Sequence, residues 1–169
     1  MGNSLSNYKI IRVTPTLTED SAYADGDVLF TATEIPNAVL GDRGCSKILN
    51  CFVMDQSRQS FSCDLVFTEE STALGTIHAT ADITDANMEG IGLCGVLRHA
   101  HDEGASGDID QVRINKTSSL SGNSESTDPM LIQAKAGSTS VYVSGVITDG
   151  TPTFADTDDL DLILHIQYK

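Results

Sequence analysis

Apolar residues recur at every second position along most of this chain. Residues 61–67 are the plainest case: Phe61, Cys63, Leu65 and Phe67 alternate with polar Ser62 and Asp64. A period of two is the side-chain period of a pleated strand with one face buried and the other in water. Residues 160–168 repeat the pattern, with Leu160, Leu162, Leu164, Ile166 and Tyr168 on one side. Runs rich in β-branched residues at 8–14, 28–35, 46–54, 92–98, 111–117, 130–136 and 140–148 read as further strands, and 75–81 as a shorter one. Turn chemistry separates them at Pro15, Asp25-Gly26-Asp27, Pro36-Asn37, Gly41-Asp42-Arg43-Gly44, Gly137-Ser138 and Asp149-Gly150. The arms 46–54 and 61–68, joined by a polar connection, are expected to pair as a hairpin.

One stretch departs from the period of two. Thr84 or Asp85 can cap a helix that runs through residues 86–91, with Glu89 in its early turns. It is too short to form a layer. The expected fold class is therefore all-β, an antiparallel β-sandwich of eight to ten strands with one short connector helix. A parallel α/β sheet would need long helices between its strands. Residues 8–169 are expected to form a single sandwich domain. Residues 1–7 are expected to form an N-terminal arm whose Met1, Gly2, Asn3, Ser4, Leu5, Ser6 and Asn7 lie on a neighbouring molecule. The polar segments 99–107 and 118–128 read as loops.

Charge and cysteine usage narrow the function classes. The formal net charge is −14 over 169 residues. Such a surface keeps a protein soluble and repels phosphate backbones and anionic lipid, so no direct contact with nucleic acid or membrane is expected. No apolar run approaches the ~20 residues that span a bilayer. The opening residues lack the basic-then-apolar order of a secretory signal, which points to synthesis in a reducing cytosol. Cys45, Cys51, Cys63 and Cys94 contain no Cys-x-x-Cys pair, which argues against a zinc knuckle or a thioredoxin-type site. Cys51 and Cys63 lie on the two arms of the expected hairpin and could approach each other. Buried free thiols are the preferred reading, and pairing is the alternative.

Candidate chemistry is sparse. His99-x-His101, followed by Asp102, offers two imidazoles and a carboxylate of the kind that ligate zinc or iron. A polar loop that merely contains these residues is the simpler reading. Asp156, Asp158, Asp159 and Asp161 form a carboxylate cluster, but it lacks the central glycine and terminal glutamate of a calcium loop. Gly-x-Ser-x-Gly, Gly-x-x-x-x-Gly-Lys-Ser/Thr and His-Glu-x-x-His motifs are all missing. No enzymatic activity and no cofactor are expected. The Met1-Gly2 start fits a myristoylation pattern and Asn115-Lys116-Thr117 a glycosylation sequon, both expected to be idle.

Several stretches in order carry a family likeness: Arg12-Val-Thr-Pro-Thr-Leu, Tyr23-Ala-Asp-Gly-Asp-Val-Leu-Phe, Glu34-Ile-Pro-Asn-Ala-Val, Ile83-Thr-Asp-Ala-Asn-Met-Glu-Gly-Ile, Gly137-Ser-Thr-Ser-Val-Tyr-Val and Gly150-Thr-Pro-Thr. Together they resemble small structural proteins of tailed bacteriophages, often marine ones, from about residue 8 to residue 167. The segments at 98–107 and 118–128 are longer and more acidic than that family pattern. The resemblance implies a virion component with a jelly-roll-like sandwich. Its implied role is capsid decoration or cement, binding the major capsid protein of the assembled shell as a homo-oligomer, with a trimer favoured. Its place would be the capsid surface of the virion, after synthesis in the host bacterial cytoplasm. The alternative is a tail- or fibre-associated module that recognises host glycan. The absence of Trp and the presence of only four Tyr count against it, because sugar sites favour exposed aromatics.

Overall fold

The computed structural model describes residues 7–101, 107–109, 112–116, 118–119 and 129–169; in the three segments between 107 and 119 only the strand pairing is described. In chain order the elements are β1 (Tyr8–Val13), β2 (Val28–Ile35), β3 (Cys45–Asp55), β4 (Ser62–Thr68), α1 (Asp85–Gly90), β5 (Leu93–His99), β6 (Gly107–Ile109), β7 (Val112–Lys116), β8 (Ser118–Ser119), β9 (Met130–Gln133), β10 (Val141–Asp149) and β11 (Leu160–Tyr168). The chain is an all-β sandwich. One sheet runs β1-β11-β3-β7-β6, with β9 beside the first half of β3, and the other runs β2-β10-β4-β5-β8. Every ladder between these strands is antiparallel.

Three expectations need correction. Eleven strands are found among the described residues, one more than the upper expectation of ten; the short β8 falls in a segment read as a loop, and β6 begins at the last residue of another. Residues 75–81 form isolated bridges, Val28 to Ile77 and Asp27 to Thr80, and not a strand. The hairpin of 46–54 with 61–68 does not form. β3 pairs with β11, β7 and β9 in one sheet, whereas β4 pairs with β10 and β5 in the other. The polar connection carries the chain across the sandwich. Asp55 holds that crossing by accepting the backbone N–H groups of Ser57, at 2.9 Å, and of Gln59.

The inward positions of both sheets fill one continuous core that includes Ile11, Val53, Leu65, Val143, Leu162 and Leu164. Cys51 and Cys63 lie within it as buried thiols, one from each sheet, with no disulfide between them. Burial first, and then the nearby Asp64 and Cys51, push the Cys63 thiol far above its ordinary range. Aromatic rings close one end of the sandwich. Phe154 stands edge-on to Tyr23 at 6.0 Å and to Phe61 at 5.8 Å. The buried Tyr23 hydroxyl accepts from Thr18 N–H and donates to the Leu29 carbonyl, so the ring can be buried without stranding its polar tip.

The outer face of the second sheet is covered by the chain itself. Leu74 and Ile91 pack on Val28 there, with Val66, Val146 and Ile83 around them. Main-chain bonds tie this cover to the sheet edge: Val28 N–H to the Ala79 carbonyl, and His78 N–H to the Val28 carbonyl. Within the cover, α1 forms as expected. The Thr84 hydroxyl accepts from Asn87 N–H at 3.3 Å, and no residue of the helix is buried.

Candidate interaction face

The structure places the described ones among the residues singled out from sequence as follows. β5 runs one residue further than expected, and His99 is its last residue. Its ring turns inward, buried, 5.0 Å from Phe61. His101 lies past the strand end, where its backbone N–H donates to the Ser62 hydroxyl. Strand periodicity therefore stops between the two histidines. Asp102 lies outside the described residues, as do Met1, Gly2, Asn3, Ser4, Leu5 and Ser6 of the expected arm. Asn7 is described: its carbonyl accepts the Tyr168 N–H at 2.8 Å, which extends the ladder between the first and last strands. Among the described residues, no three His, Cys, Asp or Glu side chains are grouped to hold a metal. No helix among them is long and apolar enough to cross a membrane.

The carboxylate cluster is also dispersed. Asp159 turns back on its own loop and accepts from the backbone N–H groups of Ala155 and Asp156 and from the Ser57 hydroxyl. Asp161 lies on the sheet, buried, where it accepts from the Thr14 hydroxyl at 2.5 Å and faces Arg12 at 3.5 Å. These carboxylates satisfy local donors and do not converge on a common point.

The unusual surface is the outer face of the first sheet. Register places Tyr8 beside Gln167, Ile10 beside His165, and Arg12 beside Ile163, with Ile163 in turn beside Phe52. Asp161 pairs with Met54, and Lys47 joins Gln167 to Leu131. These residues all point away from the core. Ile10 is 66% exposed, Tyr8 60% and Leu131 49%. Phe52, Met54 and Ile163 are half-buried, and the Phe52 ring lies 5.4 Å from that of His165.

Its electrostatics run against the rest of the chain. β1, β3, β9 and β11 together contain two carboxylates, Asp55 and Asp161, and both are buried. The same strands carry Lys9, Arg12 and Lys47. The second sheet instead exposes Glu34 and Asp149 and half-exposes Asp64, which pairs with Arg98 at 2.8 Å. On β1, β3, β9 and β11, a chain with a net charge of −14 thus exposes apolar side chains and no carboxylate.

Sequence reasoning missed this face, although a signal was present. Alternation breaks where Ile10 precedes Ile11, where Cys51-Phe52-Val53-Met54 runs without a polar residue, and where Leu162-Ile163-Leu164 does the same. Apolar residues at both parities mean that both faces of a strand avoid water. No protein-family model, curated relative or solved structure matches the chain.

Proposed function

We propose that this chain is a non-enzymatic structural protein of a virion, a capsid decoration or cement protein that binds the assembled head shell through the major capsid protein and stabilises it. The observation that carries the reading is the apolar outer face of the β1, β11 and β3 strands, on which Ile10 is exposed and Phe52 half-buried. Exposed apolar patches of this kind mark surfaces that another protein covers. A rigid two-sheet body with one such face is suited to assembly.

We also infer that the sandwich is a jelly roll. Its support is a nested pairing of the long strands: β1 with β11, β2 with β10, β3 with β7, and β4 with β5. First meets last, second meets next to last, and so on inward, with the first four strands alternating between the sheets. A folded-over antiparallel ribbon gives such a nest, and eight-stranded jelly rolls recur in viral capsid and lectin domains. Fold by itself does not assign function. The virion reading adds the family resemblance of the quoted stretches. It places the protein on the capsid surface as a homo-oligomer, after synthesis in a bacterial cytoplasm.

Imaging of the virion tests the proposal. Density for the sandwich over the head shell is expected, together with earlier heat rupture of particles that lack the protein. Density confined to the tail, with binding of the purified protein to host glycan, would overturn it in favour of a tail-associated binding module.

A further inference from the structure

We draw no further inference here: the strongest candidate, the strap of residues 74–91 that folds over the outer face of the second sheet and bonds to the edge of β2, carries nothing beyond the packing already described, because nothing among the described residues shows what would displace it from that face or take its place there.

Discussion

Phe30 and Gly145 face each other across the β2–β10 ladder so closely that a methyl group on Gly145 would lie 2.5 Å from the Phe30 Cε1 atom. The ring fills the space a side chain would take, and the pairing shifts register on both sides of Gly145. The irregularity lets a fully buried aromatic ring lie flat against the neighbouring strand. Gly145→Ala is expected to overpack this spot and destabilise the protein by about 1–3 kcal/mol. Urea unfolding checks it; an unchanged midpoint would show that the ring can move aside.

The four thiols are expected to divide by location. Cys51 and Cys63 are buried in the core, whereas Cys45 and Cys94 are half-exposed. Ellman's reagent should titrate two thiols in the native protein and four in urea. Cys94 should react more slowly than Cys45. Burial raises its thiol, and the sulfur already lies 3.7 Å from the Gln133 carbonyl.

Cys63 also predicts an alkaline limb of stability. Its folded-state value is raised by burial, so the native state keeps a proton that the unfolded chain releases above about pH 8.5. The contribution is complete below that pH and is lost as pH climbs toward the raised native value. Lys135 acts in the same direction at higher pH. Its hydrogen bond to Glu70, at 2.6 Å, and then the charge of Glu70 raise it, so what the pair contributes is lost as pH passes the lysine range. The melting temperature should fall from pH 8 to pH 11. Glu70→Gln should flatten the uppermost part of that fall and leave the part just above pH 8 unchanged.

Ile91 locks the cover of the second sheet. It is fully buried against Val28 and Leu74, in a cluster separate from the main core. Ile91→Ala is expected to cost about 2–5 kcal/mol locally. Hydrogen exchange should quicken across residues 74–91 while β3 and β11 stay protected. Global unfolding, in place of local opening, would show that the two clusters are one cooperative unit.

The Thr14–Asp161–Arg12 group ties β1 to β11 at one end of their ladder. Asp161→Ala is expected to cost about 1.5–3 kcal/mol, because Asp161 is buried and accepts the Thr14 hydroxyl. Arg12→Ala should cost far less, since its side chain is 56% exposed. Thermal melts of the two variants give the comparison directly.

The alternation of Phe61, Cys63, Leu65 and Phe67 was enough to establish a β-protein and the inward face of β4, because strand parity is a local property of the backbone. The cap at Thr84 was legible for the same reason: its hydroxyl reaches an N–H three residues on. Pairing was not legible. Tyr8 meets Gln167, and β3 and β4 part into opposite sheets, because the nested ladders are decided by how the whole ribbon closes over one core. His99 shows the same limit. The spacing of two from His101 implies a shared face only while the strand continues, and the strand ends at His99. The apolar outer face also needed the fold. Ile10, Phe52 and Ile163 come from strands far apart in the chain, and only antiparallel register lays them side by side on the outer face of one sheet.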